Sequence, residues 1–203
     1  MNEVSDKSNY KIEARLISSG YSLICGIDEA GRGSLSGPVV AGACILDSQN
    51  IPDGIKDSKL LPPTERLRLF KLITTSAISW AAGIVDNYQI DQINILQATK
   101  KAMALAVENL RVTPDCLLID ALTLDNLKIT QKSYIKGDVE VISIGAASII
   151  AKVTRDEIMS TYHILYPQYN WKQNKGYPTR EHLHALTLFG PTEFHRRTFK
   201  GVL

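Results

Sequence analysis

No uninterrupted apolar stretch of this 203-residue chain is long enough to cross a membrane. Residues 1–9 are polar and lack the apolar centre of a secretion signal. Together these absences lead us to expect a cytoplasmic protein with no membrane partner. Cysteine is scarce. Cys25, Cys44 and Cys116 stand far apart, each within an apolar run, which excludes a disulfide framework and a zinc-ligand spacing. They read as buried, reduced core residues. An excess of one charge is missing too: a net charge of +2 provides no global attraction for nucleic acid, so any such attraction must be local. The four histidines, His163, His182, His184 and His195, make no metal pattern, because His182 and His184 lie two apart on an expected helix and cannot share a face. Internal repeats and low-complexity tracts are absent.

What remains is ordinary for one soluble domain: 44% hydrophobic and 22% charged residues, over a length that can bury a real core. A polar segment, 1–20, carries weak helical patterning. Strands are expected at 22–28 and 38–46, the second apolar nearly throughout. A helix opens at Pro62-Pro63-Thr64-Glu65, with Leu67, Leu69, Phe70 and Ile73 as its apolar set. Further strands are expected at 78–85, 116–120 and 141–144, with helices over 93–110 and 145–160. This alternation predicts an α/β domain with a mixed sheet, whose sites gather at strand ends. Beyond 161 the composition shifts to Tyr, Trp, His, Lys and Arg, broken by Pro167, Pro178 and Pro191. We therefore expect a polar segment at 1–20, a catalytic core at 21–160 and a helical, substrate-binding extension at 161–203.

The most informative stretch is Gly26-Ile27-Asp28-Glu29-Ala30-Gly31-Arg32-Gly33. An apolar strand ends in two carboxylates, which can hold a hard cation through oxygen. A Gly-flanked Arg follows, where bare backbone can approach a ligand while a guanidinium grips a phosphate. Successive strand residues point to opposite faces, so both acids reach one centre only if the strand ends or bulges between them. Asp120 closes a second buried strand in the same way. A fourth acid is expected, and spacing leaves Asp125, Asp138, Asp156 and Glu157 as candidates, with Asp156 also placed to pair with Lys152 at i,i+4.

The Gly26–Gly33 stretch and its continuation through Gly37-Pro38-Val39-Val40-Ala41 resemble the signature of ribonuclease HII. The resemblance extends through Asp57-Ser58-Lys59, Ile93 to Thr99, Leu118-Ile119-Asp120, Lys136-Gly137-Asp138 and Ala146 to Asp156. It continues through Tyr166-Pro167-Gln168-Tyr169, Lys175-Gly176-Tyr177-Pro178-Thr179 and His195-Arg196-Arg197-Thr198-Phe199. It thus spans about residues 21–200. The resemblance implies a ribonuclease H-like fold: a central mixed five-stranded sheet flanked by helices, with a helical C-terminal extension. It implies cleavage of the RNA strand of RNA–DNA hybrids and 5′ of single ribonucleotides in duplex DNA, leaving 5′-phosphate and 3′-hydroxyl ends. It places the catalytic, metal-binding acids on Asp28, Glu29, Asp120 and Asp138, holding two divalent cations, Mg²⁺ or Mn²⁺. Gly31, Arg32 and Gly33 would read the 2′-hydroxyl and hold a phosphate, Tyr177 would sense the ribose–deoxyribose junction, and Ser58 and Lys59 would contact a flanking phosphate. Lys172, Lys175, Arg180, Arg196 and Arg197 would add a local basic face. The expected partners are RNA–DNA hybrid and ribonucleotide-containing duplex DNA, bound by a monomer. Asn174, where His is frequent in the family, Val139 and Gly145 depart from the pattern without removing a ligand. The competing reading is a catalytically silent nucleic-acid-binding module of the same fold.

Overall fold

The computed structural model of the chain describes residues 10–55, 58 and 61–202. Five strands, β1 (Ile24–Ala30), β2 (Val39–Ile45), β3 (Ser79–Val85), β4 (Cys116–Asp120) and β5 (Thr130–Tyr134), form one sheet in the order β3-β2-β1-β4-β5. The β1–β2 and β2–β3 pairs are antiparallel; β1–β4 and β4–β5 are parallel. Seven helices surround it among the described residues: α1 (Lys11–Ser18), α2 (Pro63–Ser76), α3 (Asn87–Glu108), α4 (Gly137–Glu140), α5 (Ile142–Leu165), α6 (Trp171–Asn174) and α7 (Arg180–Phe189). The expected mixed, five-stranded, helix-flanked sheet is present, and no helix among the described residues is long and apolar enough to cross a membrane.

One strand differs from expectation. Residues 141–144, whose apolar–polar alternation mimics a half-buried strand, start α5 instead. Every residue from Val141 to Ala151 is buried, so the alternation does not separate two faces here. The fifth strand is β5, Thr-Gln-Lys-Ser-Tyr, an edge strand whose polar, largely exposed side chains conceal it in the sequence. Helix α5 also runs past Ser160 to Leu165, and α3 begins at Asn87, ahead of the expected 93. Within α3, Asn94 adopts φ 65°, and its side-chain Oδ1 accepts from the N–H groups of Leu96 and Gln97, capping the second half of the helix.

Strand alternation divides the core into two layers. Cys25, Ile27, Ala41, Ala43, Leu117 and Ile119 pack against Ile90, Ala98, Ala102 and Met103 of α3. On the other face, Cys44 packs with Leu69 and Ile73 of α2 and with Ala146, Ala147, Ile149 and Ile150 of α5. Helix α5 lies unusually close to the sheet: a Cβ at Gly26 would sit 2.0 Å from the Ser143 carbonyl carbon, and one at Gly42 would sit 2.2 Å from the Ala147 oxygen. Only glycine permits that approach, and it brings the polar residues of α5 to the sheet end. The three cysteines are buried as expected, and burial pushes Cys25 up to about 12.

Residues 10–20, the described part of the polar N-terminal segment, are tied into this layer. Glu13 of α1 is 1% exposed, and its Oε1 accepts from the Ser143 N–H (2.9 Å) and Oγ–H (2.7 Å). Residue Val141 provides no side-chain cap for α5, so Glu13 serves an otherwise orphaned N–H from another helix. A third cluster, Leu35, Met159, Tyr169, Trp171, Ala185 and Leu186, with Tyr162, Tyr166, Phe194 and Phe199 around it, fixes the C-terminal segment against the end of α5.

Candidate active site

Two acids meet because of strand register. The parallel pairing of Ile27 with Ile119 sets Asp120, the last residue of β4, beside Asp28 of β1. Gly26, Asp28, Leu118 and Asp120 alternate onto the α5 face. The β1–β2 pairing continues unbroken through Asp28↔Gly42, Glu29↔Ala41 and Ala30↔Val40, so the strand neither ends nor bulges between the two acids. Glu29 starts from the opposite face, yet at this end of the sheet its charge still reaches Asp28, so the two acids come together without a bulge; its Oε1 receives Arg32 Nη1 at 3.3 Å. Asp138 is buried in α4 just after Gly137, whose N–H donates to Asp120 Oδ1 at 2.8 Å. Two residues in left-handed backbone frame these acids, Ala121 (φ 51°) after Asp120 and Lys136 (φ 60°) before Gly137.

The electrostatics favour a cation. Asp28 is 2% exposed; burial first, then the Glu29 and Asp120 charges, push its carboxyl up to about 8 against a hydrogen bond from Ser148. Its Oδ2 is buried without a hydrogen-bond partner, an arrangement that fits a metal-binding carboxylate. Among the described residues, no three His, Cys, Asp or Glu side chains are drawn into a closed ligand cluster. Asp125 lies apart, exposed and paired with Lys100 at 2.8 Å, and Asp156 pairs with Lys152 at 2.7 Å, as its i,i+4 spacing predicts.

Beside the acids is a cleft of about 570 Å³ lined by Glu29, Ala30, Gly31, Arg32, Gly33, Ser58, Arg66, Lys152 and Tyr177. It unites Gly31–Gly33, Ser58 and Tyr177, which separate motifs singled out, with Arg66, which none contained. Gly31 has φ 96°, and a Cβ there would lie 2.0 Å from Arg155 Nε, so neither the backbone nor the space admits a side chain. Arg155 is fully buried. Its Nε donates to Pro38 O (2.9 Å), its Nη1 to Lys175 O (2.9 Å) and its Nη2 to Ser36 O (3.1 Å). Arg196, expected on the duplex-binding face, is also fully buried and donates to the carbonyls of Gly37 (3.0 Å) and Arg32 (2.9 Å). These two guanidiniums hold the Gly31–Pro38 segment from behind. Arg155 also lies 5.7 Å from the Tyr177 ring centre, and Lys152 Nζ 5.9 Å from it.

Tyr177 is fixed from its other side by a histidine pair. Trp171 Nε1–H donates to His182 Nε2 at 3.1 Å, so that nitrogen carries no proton. His182 Nδ1–H then donates to Tyr177 O (3.0 Å), and His195 Nε2–H to His182 Nε2 (3.1 Å). His195 Nδ1 accepts from the Thr192 N–H at 2.9 Å. Both rings are neutral; burial, then the neighbouring His182, pull His195 down to about 3. None of the histidines enters the acid centre. Asn174 takes a local structural place, donating to Tyr169 O (2.7 Å) and accepting from Gly176 N–H (2.8 Å), which shapes the turn into Tyr177.

Ser58 lines the cleft but is 2% exposed, and its hydroxyl lies 2.7 Å from that of Ser148. Lys59 lies outside the described residues. Arg66 lay outside every motif, and within the Ala146–Asp156 motif Ser148 and Arg155 received no role and Lys152 only its ion pair. A signal was available: Ser148, Lys152 and Arg155 recur at i, i+4 and i+7, which is one face of α5.

The fold is similar to the crystal structure of the ribonuclease H2 from Pyrococcus horikoshii, with a TM-score of 0.74 and 28% identity over 89% of this chain and 95% of that one. Fold and acid-tipped strands thus define a nuclease, a hydrolase of phosphodiester bonds. The sequence is 53% identical over 180 residues to ribonuclease HII of Acetivibrio thermocellus, covering 89% of this chain and 70% of the relative. It is 44% identical over 199 residues to ribonuclease HII of Caldicellulosiruptor saccharolyticus, covering 98% and 97%. The ribonuclease HII family profile matches residues 25–202, and the chain belongs to that family. It is accordingly a ribonuclease H acting on RNA–DNA hybrids.

Proposed function

We propose that Asp28, Glu29, Asp120 and Asp138 are the catalytic acids, that they hold two divalent cations, and that the enzyme also cuts 5′ of single ribonucleotides in duplex DNA. The observation that carries this reading is the Asp28–Asp120 pair at neighbouring strand ends, with a buried Asp28 oxygen lacking a partner, beside the cleft that holds Gly31–Gly33 and Tyr177. All-oxygen donors suit Mg²⁺, with Mn²⁺ as a substitute. The chemistry such ions supply when bound is activation of a water and neutralisation of charge on the phosphate and the leaving 3′ oxygen.

The chain's own residues do the rest. Arg32 is 43% exposed at its side chain and close enough to Glu29 to exchange that carboxylate for a substrate phosphate. Gly31 and Gly33 leave the backbone bare, so its polar groups can meet a 2′-hydroxyl, which both donates and accepts. Tyr177, held by Arg155 and His182, offers its ring to the sugar at the ribose–deoxyribose step. Residues 161–203 serve as the substrate-binding extension, with exposed Lys172, Arg180 and Arg197 contacting duplex phosphates.

The test is cleavage of a labelled RNA–DNA hybrid with Mg²⁺ or Mn²⁺ by wild type, Asp120→Asn and Asp138→Asn. Metal-dependent cutting lost in both variants supports the reading. Full activity in either variant removes that acid from the set, and no cutting by folded wild type with either metal favours a binding module.

A further inference from the structure

We propose that Asp91, in the first half of α3, is a positioning residue for the Gly31-Arg32-Gly33 turn and acts on it through Arg196. The inference rests on the reading of that turn as the contact to the substrate 2′-hydroxyl. Asp91 Oδ2 accepts from the Arg197 N–H at 2.8 Å. Its Oδ1 accepts from the Thr198 N–H at 3.1 Å and the Thr198 hydroxyl at 2.6 Å. One turn earlier, on the same helix face, Asn87 Nδ2 donates to the carbonyls of Glu193 (2.7 Å) and His195 (3.3 Å). Helix α3 thus grips the chain on both sides of Arg196. Between the two grips, the Arg196 N–H donates to Leu35 O at 2.8 Å, and its guanidinium donates to Gly37 O at 3.0 Å and Arg32 O at 2.9 Å. The Arg32 carbonyl belongs to the turn itself.

The first half of α3 is itself fixed. Asp86 caps its start, accepting from the Gln89 N–H at 2.8 Å, and the left-handed Asn94 ends it. Ile90, fully buried in the core, anchors the stretch that carries Asn87 and Asp91. The bonds to Asp91 lie at the surface, where Arg197 and Thr198 are exposed, so water can take the carboxylate's place at small cost in stability. Water does not replace the geometry. Three donors on one carboxylate set where residues 197 and 198 run, and with them where Arg196 enters the fold. A ligand-binding group held to within about 0.5 Å depends on supports of this kind. Asp91 therefore contributes little to folding and much to the placement of the turn, without touching substrate.

Fluorescence anisotropy on the full chain in chelator tests this with two labelled duplexes of one sequence. One is an RNA–DNA hybrid; the other carries 2′-fluoro groups, which cannot donate, in place of the 2′-hydroxyls. The readout is the ratio of the two affinities for wild type, Gly33→Val, Asp91→Ala, Asp91→Asn, Arg196→Met and the Asp91→Ala, Arg196→Met double variant. A Cβ at Gly33 meets nothing within 4 Å, so valine has room there and covers the bare backbone. Wild type should prefer the hydroxyl. Asp91→Ala should reduce that preference by about two- to tenfold, the worth of one hydrogen bond. Asp91→Asn, which keeps one acceptor oxygen, should reduce it less, and the double variant should match Arg196→Met. A merely structural role lowers both affinities together and leaves the ratio as it was, which overturns the proposal. An unchanged ratio in Asp91→Ala, with the preference lost in Gly33→Val, also overturns the role of Asp91 and leaves the turn as the ribose contact. No preference in wild type, or an unchanged one in Gly33→Val, overturns the reading of the turn and the inference with it. A double variant whose loss adds to that of Arg196→Met overturns the route through Arg196. If Asp91→Ala or Arg196→Met does not fold, the ratio in Asp91→Asn decides, and a wild-type ratio there overturns the proposal.

Discussion

Replacing Arg155 by Met keeps the long unbranched stem and removes the guanidinium. The buried carbonyls of Ser36 and Pro38 and the part-buried carbonyl of Lys175 then lose their donor together. An unsatisfied buried polar group costs about 1–3 kcal/mol, so three cost roughly 3–9 kcal/mol. Burial already pulls Arg155 below its usual pKa, a sign that the charge is held at a cost; relieving it offsets several kcal/mol. The net loss expected in a urea titration is about 3 kcal/mol, and the midpoint of thermal unfolding should drop by about 6–12 °C for a chain of this size. Function should suffer unevenly. Arg155 backs the Tyr177 ring and the Lys175 carbonyl, so cleavage at a single ribonucleotide should fall further than cleavage of a continuous hybrid. An Arg155→Met protein as stable as wild type, or one that loses both activities equally, would refute this view of the arginine as the brace of the Gly31 turn and Tyr177.

Other outcomes follow from particular contacts. His195 is held near pKa 3 in the fold against about 6.5 unfolded, so below pH 6.5 the unfolded chain binds a proton that the native state refuses. Its contribution is complete above pH 6.5 and is lost as pH falls toward 3, at up to about 1.4 kcal/mol per pH unit; denaturant titrations from pH 8 to 5 check this, and a flat profile contradicts it. Ala121 holds φ 51°, which costs an alanine about 1–2 kcal/mol. Ala121→Gly should therefore raise stability by about 0.5–1 kcal/mol after glycine's added chain entropy, measured by chemical denaturation. Glu13→Ala leaves the Ser143 N–H and hydroxyl without their acceptor and should cost about 1–3 kcal/mol by the same method.

The sheet and its helices were legible because β1, β2, β3 and β4 are apolar runs bounded by turn residues, patterns that survive without tertiary information. Edge strand β5 was not, because exposed polar side chains carry no burial pattern, and 141–144 misled because a helix buried on all sides can alternate residue types freely. In the candidate site, acids at strand ends and the Gly-Arg-Gly turn could be read directly from the chain. The choice of Asp138 over Asp156 came from family resemblance, since spacing treats them alike. Arg155 received no role and Arg196 was expected on the duplex-binding face, for a physical reason. Arginine is rarely buried without a carboxylate, and only the folded chain reveals the loop carbonyls to which these two donate.

The central claim joins an acid centre to a cleft that senses a ribose. The most direct test is a labelled DNA duplex carrying one ribonucleotide, incubated with Mg²⁺ or Mn²⁺ and wild type, Asp120→Asn or Tyr177→Ala. The account predicts a single cut on the 5′ side of the ribonucleotide, absent with Asp120→Asn and weakened with Tyr177→Ala more than hybrid cleavage is. A wild-type enzyme that cleaves the hybrid yet leaves this duplex intact would contradict it.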